Sequence, residues 1–228
     1  MKVNYLGHSC VQLDINGTYV VFDPFITGNP LASHIDIMDI QADYIFLSHA
    51  HGDHVADLGV MQKVTQAQVV AIVETAEWAE SIGVPKDKIT GINFGGTIQT
   101  AFGSVKMVYA LHTNSTPDGG YGGLPAGYLL EADGKRVYFA GDTALTLEMQ
   151  LLADKPIDVA FLPIGGHFTM DVEDAIKAAN LINCKHIIGI HYDTFPPIKI
   201  DQKQALAQFQ AAGITLQLLA IGKQVALT

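Results

Sequence analysis

The chain has 228 residues, 49% of them apolar and 16% charged, with a formal net charge of −10. That much apolar material excludes a disordered chain, and the acidic balance excludes a general surface for nucleic acid or an anionic membrane. The two cysteines, Cys10 and Cys184, lie far apart without the close pairing of a zinc ribbon or redox motif, so both read as buried free thiols.

The N-terminal segment lacks an apolar signal-peptide core, and no stretch offers the roughly 18 uninterrupted apolar residues of a membrane span. The expectation is a cytoplasmic protein. Val3 to Leu6, Val11 to Ile15 and Tyr19 to Phe22 read as short strands, and Asn16-Gly17 joins the last two as a hairpin turn because both residues tolerate positive φ. A loop follows from Pro24 to about Asp39, and then a strand from Asp43 to Leu47. After it come a helix at Leu58 to Val64, a strand at Val69 to Val73 and a helix at Thr75 to Ile82.

A strand-rich block covers Thr97 to Leu111, and a hairpin turned at Asp133-Gly134 joins Gly127–Glu131 to Arg136–Ala140. The last third alternates: strand Val159 to Leu162, helix Val172 to Ile182, strand His186 to Ile190, helix Gln202 to Ala211 and strand Thr215 to Leu219. Two strand blocks, each followed by helices, predict two stacked sheets with helices outside and a single domain over residues 1–228. The glycine-rich stretch Thr113 to Gly127 reads as a long loop with a substrate-covering role.

His49, His51, Asp53 and His54 crowd into six residues at the end of an apolar strand. Imidazole and carboxylate are good zinc ligands, and ligands on one loop lose less entropy in assembling a site. Alternate residues of an extended segment point the same way, so His49 and His51 suit one ion, while a turn at Gly52 aims Asp53 and His54 at a second. Further ligands stand where other apolar strands end, at His112, Asp142 and His191. That repetition implies strand ends converging on one edge.

The run His-x-His-x-Asp-His at His49 to His54 resembles the signature of the metallo-β-lactamase fold superfamily. A downstream histidine, Gly-Asp-Thr and a final histidine follow in that family's order at His112, Gly141-Asp142-Thr143 and His191. Leu6-Gly7-His8-Ser9, Asp23-Pro24-Phe25 and Pro163 to Met170 look like the small stand-alone subgroup of metal-dependent hydrolases, which is similar to the sugar-acid-phosphate lactonases. The resemblance spans nearly the whole chain. It implies a four-layer αβ/βα sandwich of two stacked mixed sheets with helices on the outer faces.

It further implies two divalent ions, zinc or manganese: His49, His51 and His112 on the first, Asp53, His54 and His191 on the second, and Asp142 between them. The expected reaction is attack of a metal-activated water on a small anionic substrate, a phosphodiester or phosphorylated lactone, with Asp53 orienting the nucleophile or carrying a proton. His167 is the other catalytic candidate, as a substrate contact or proton donor; His8 and Asp23 are candidates for supporting a metal ligand or touching substrate. No membrane partner is expected, and a homo-oligomer is. The competing readings are an iron-dependent oxidoreductase on the same fold and a non-catalytic, metal-stabilised binding protein.

Overall fold

In the computed structural model, which describes residues 1–227, the strands assemble into two sheets of seven strands each. The first sheet begins with β1 (Lys2–Gly7), β2 (Cys10–Ile15) and β3 (Thr18–Phe22), an antiparallel meander. Its tight turn is Asn16-Gly17, with φ of 54° and 88°, the positive values that a two-residue hairpin demands. Parallel strands β4 (Tyr44–Phe46), β5 (Gln68–Ile72) and β6 (Ile89–Ile92) extend it. Between them lie the single turn α1 (Gly52–Val55) and the helices α2 (Leu58–Thr65) and α3 (Val73–Ser81).

The second half repeats the plan. Strands β7 (Thr97–Gln99), β8 (Gly103–Tyr109), β9 (Ala126–Ala132) and β10 (Lys135–Phe139) form an antiparallel meander. Strands β11 (Val159–Pro163), β12 (His186–Ile190) and β13 (Thr215–Gln217) then run parallel, connected by helices α4 (Val172–Leu181) and α5 (Gln202–Ala211). Both helices start where an aspartate accepts a backbone N–H: Asp171 from Asp174 at 2.9 Å and Asp201 from Gln204 at 3.0 Å. The closing strand β14 (Gln224–Ala226) returns to pair antiparallel with β1 at the edge of the first sheet.

Period-two alternation decides which side chains meet between the sheets. On β3 and β5, Val20, Phe22, Val70 and Ile72 enter the core shared with the second sheet, whereas Val21, Val69 and Ala71 face the outer layer with Leu58, Met61 and Ala76 of α2 and α3. Aromatic rings fill the centre: Phe22 stacks on Phe139 at 4.4 Å and on Phe46 at 5.5 Å, and Phe46 meets Tyr128 edge-on at 5.1 Å. The buried Tyr128 hydroxyl donates to Leu47 O at 2.7 Å, a main-chain acceptor just before the histidine-rich loop. The four-layer αβ/βα arrangement expected from the sequence is present.

Two strands went unread in the sequence. β6 is a half-polar run and β14 is a three-residue edge strand, each too short for a periodic signal. Both cysteines are free and buried, and burial pushes the Cys184 thiol up to about 11. Among the described residues no helix is long and apolar enough to cross a membrane. Because Phe139 is fully buried between the sheets, Phe139→Ala should cost about 3–5 kcal/mol of unfolding free energy in a denaturant titration. A loss below about 1 kcal/mol would mean that this stack does not anchor the core.

Candidate metal centre

The ends of β1, β3, β4, β8, β10 and β12 open onto one edge of the sandwich, and each contributes a polar side chain there. The loop after β4 presents His49 and His51, and α1 turns Asp53 and His54 inward. His112, Asp142 and His191 follow β8, β10 and β12, while His8 follows β1 and Asp23 follows β3.

The left-handed backbone conformation recurs in this set: φ is 55° at His8, 46° at Asp23 and 54° at His191. Each costs roughly 1–2 kcal/mol for an L-residue, and such outliers gather where function constrains the chain. Close backbone approach also matters. At Gly141, with φ of 61°, a Cβ would stand 2.5 Å from Ser48 Cβ, and at Gly165 one would stand 2.2 Å from His191 O.

Two groups of potential ligand atoms share no member, His49, His51 and His112 in one and His8, Asp53, His54 and His191 in the other, while a third, Asp23, His49 and His54, overlaps both. His49 Nε2 lies 2.9 Å from His51 Nδ1. Between the groups lies Asp142, whose Oδ2 is 3.0 Å from His191 Nε2, 3.4 Å from His54 Nε2 and 3.6 Å from His112 Nε2. Nitrogens bonded to a tetrahedral ion at about 2.0–2.1 Å stand ~3.3 Å apart, which is the scale of these separations.

Asp23 lies behind both groups and is fully buried. It accepts from Ser48 N at 2.7 Å, from Ser48 Oγ at 2.6 Å and from His54 Nδ1 at 2.8 Å. With its hydroxyl hydrogen given to Asp23, Ser48 Oγ accepts from His49 Nδ1 at 2.9 Å. Both histidines are thereby held with their Nε2 atoms turned toward the cluster, the arrangement in which a partner on one nitrogen fixes the other as ligand.

Charge is unevenly matched in this pocket. Burial opposes a charge on His54, yet Asp142 and Asp23 outweigh it and hold the imidazolium well above its ordinary 6.5. Burial likewise opposes ionisation of Asp142, but His191 and His54 draw its pKa well below the usual carboxylate range. At Asp23 burial prevails over the same histidine and raises the pKa. In the metal-free cluster both flanking carboxylates thus favour the charged form of His54. Burial lowers His49, His51 and His112, with the charge of His54 adding to it at His49 and His51, so these rings are neutral, the form that binds metals. Burial also lowers His8, to about 4.

The cluster fits divalent cations on its own evidence. Its buried His54 Nε2 and Asp142 Oδ1 have no hydrogen-bond partner, although buried polar atoms normally do. His51, Asp53 and His112 keep partial exposure while the others are buried, so the group can be reached from one side.

His167 stands apart. It is exposed at φ of 57°, its ring lies edge-on to Phe168 at 4.4 Å, and among the described residues no hydrogen bond joins it to the cluster. Asp193 also points elsewhere, accepting from Ile200 N at 3.0 Å and Gln202 Nε2 at 2.7 Å. Ser48, Asn114 and Thr194 were not singled out in the sequence. Only Ser48 carried a signal, its place directly before His49. Asn114 accepts from Ala50 N at 2.9 Å and donates to Gly122 O at 2.6 Å, which fastens the loop between β8 and β9 to the histidine-rich loop.

Comparison with known proteins agrees with this geometry. A family profile described as a beta-lactamase superfamily domain matches residues 18–192. A UPF0173 metal-dependent hydrolase of Flavobacterium johnsoniae is 45% identical over 228 residues, all of both chains. One from Thermus thermophilus is 47% identical over 208 residues, covering 91% of this chain and 90% of its own. Among solved structures, Igni18, a metallo hydrolase from the archaeon Ignicoccus hospitalis, superposes with a TM-score of 0.86 at 32% identity, covering 98% of this chain and 97% of its own.

Because Asp23 orients one histidine of each group, Asp23→Asn should weaken zinc binding about 10–100-fold in a competitive chelator titration; unchanged affinity would remove that role. A second expectation concerns pH. A proton on His54 stabilises the metal-free fold fully below pH 6.5, and this contribution is lost as pH rises through the raised pKa. Thermal melts of metal-free protein should thus fall with rising pH above neutrality, with a flatter slope in His54→Gln. Equal slopes would mean that the proton lies elsewhere.

Proposed function

We propose, for a chain that belongs to the metallo-β-lactamase superfamily and within it to the UPF0173 metal-dependent hydrolases, that the cluster holds two divalent ions, zinc or manganese, and cleaves a small anionic substrate. The chain is a metal-dependent hydrolase; its substrate class and the number and kind of its ions are our reading. The observation that carries it is the position of Asp142, whose single oxygen Oδ2 lies within 3.0–3.6 Å of histidines from both groups.

His49, His51 and His112 would hold the first ion, Asp53, His54 and His191 the second, and Asp142 would span the two. Ions of this kind acidify a coordinated water and draw charge from an ester or phosphoryl oxygen. The protein's own groups do the rest. Asp23, through Ser48 and His54, keeps the ligand nitrogens facing inward. Asp53 is partly exposed and has His8 as its hydrogen-bond partner, so it is placed to orient a water nucleophile or to carry its proton.

Burial counter to ionisation is overcome at Asp53 by the hydrogen bond from His8 and the charge of His54, which keep its carboxyl well below the ordinary range and therefore ionised, as a group that accepts a hydrogen bond from a water nucleophile must be. Two divalent ions held by two carboxylates leave an excess of positive charge at the open face, which favours a phosphodiester or a phosphorylated lactone over a neutral ester. His167, on the exposed turn after β11, is the group we assign to contact the substrate or to protonate its leaving group.

Metal-free protein refilled separately with zinc and with manganese should bind two ions per chain and hydrolyse a chromogenic phosphodiester. Asp142→Ala should lower that turnover on the order of 10²–10³-fold. Turnover of neutral esters alone would overturn the anionic substrate, and one ion per chain at saturation would overturn the paired site.

A further inference from the structure

We infer that His8 is a positioning residue that holds the Asp53 carboxylate in place for the second ion. The inference rests on the reading that Asp53 belongs to that ion.

The His8 ring is buried with a partner on each nitrogen: Nε2 lies 3.2 Å from Asp53 Oδ2, and Nδ1 lies 3.0 Å from Thr194 Oγ1. Among the described residues, His8 is the only hydrogen-bond partner of Asp53. That carboxylate sits on a single helical turn and is partly exposed. Without His8, no other hydrogen bond among the described residues would fix its orientation.

His8 itself is over-determined. Its carbonyl oxygen accepts from Tyr5 Oη at 2.9 Å and from His191 N at 2.8 Å, which locks the left-handed backbone. Its ring is enclosed by His191 at 4.1 Å and by Phe25 and Phe195, edge-on at 5.5 and 5.4 Å. A side chain held this firmly by packing can set the angle of the group it touches. The ionised Asp53 carboxylate can only accept, so the ring hydrogen is on Nε2, leaving the other carboxylate oxygen for an ion. The Thr194 hydroxyl gives its one hydrogen to Nδ1 at 3.0 Å in preference to Tyr192 O at 3.4 Å.

His8 also lines a cavity of about 340 Å³ together with Tyr5, Tyr192 and Leu219. Truncation to alanine would enlarge that cavity, so informative variants must keep the bulk. Gln keeps an amide donor at the position of Nε2. Asn tolerates the left-handed backbone but places its amide at the position of Nδ1, short of Asp53.

The test is a zinc titration of the full-length, metal-free protein against a competing chelator, reading the two equivalents separately. His8→Asn should weaken the second zinc about 10–100-fold and leave the first unchanged. His8→Gln should return the second zinc to within about threefold of wild type. Thr194→Val, which leaves Asp53 and the His8 backbone untouched, should weaken the second zinc in the same direction and guards against a misfolded Asn variant. Wild-type affinity for both ions in His8→Asn and Thr194→Val would overturn the inference. So would a Gln variant as weak as the Asn variant, which would make His8 a direct ligand through its lone pair. Asp53→Asn separates this inference from its premise: if that variant binds both zinc ions normally, Asp53 does not serve the second ion and the proposed function fails instead.

Discussion

A buried carboxylate must have its lone pairs met by donors or give up its charge, and Asp23 meets this demand in a way that organises the whole centre. Its donors are the backbone and hydroxyl of Ser48 and the ring of His54. Ser48 passes the constraint to His49. One side chain at the end of β3 thus selects the tautomer of a histidine in each ligand group. Neither ring could be turned over without leaving a buried acceptor unmet, which costs about 1–3 kcal/mol.

The same pocket holds more negative charge than a metal-free protein comfortably keeps. Asp142 is surrounded by imidazoles at hydrogen-bonding or near hydrogen-bonding distance, and the two carboxylates flanking His54 favour its charged form. Binding of a metal ion to His54 would release that proton, which links the electrostatics of the fold to its chemistry.

Much of the site was legible because its residues sit in recognisable places. His49 to His54 form one dense run, and His112, Asp142 and His191 each follow an apolar strand. The loop between β8 and β9 was visible from its glycines, although its last two expected residues belong to β9, but its fastening through Asn114 was not, since an asparagine in a polar loop carries no sign of its partner. Ser48 and Thr194 were hidden for the same reason: a hydroxyl near a ligand becomes informative only when its distance to an imidazole nitrogen is known. β14 escaped notice because three edge residues have no periodicity of their own and pair with β1 only at the far end of the chain.

The alternation of apolar residues, the hairpin turn at Asn16-Gly17 and the order of histidines and aspartates determined the sheets and the ligand types, because these depend on local geometry and on the chemistry of single side chains. Tertiary structure decided how those ligands are grouped. It brought His8 to Asp53 across 45 positions and to Thr194 across 186, and it left His167 exposed, with no hydrogen bond to the cluster among the described residues. These outcomes follow from how two sheets pack and where their strand ends meet, and from left-handed turns at His8, Asp23 and His191. Burial and convergence are properties of the packed chain, which is why no local pattern could express them.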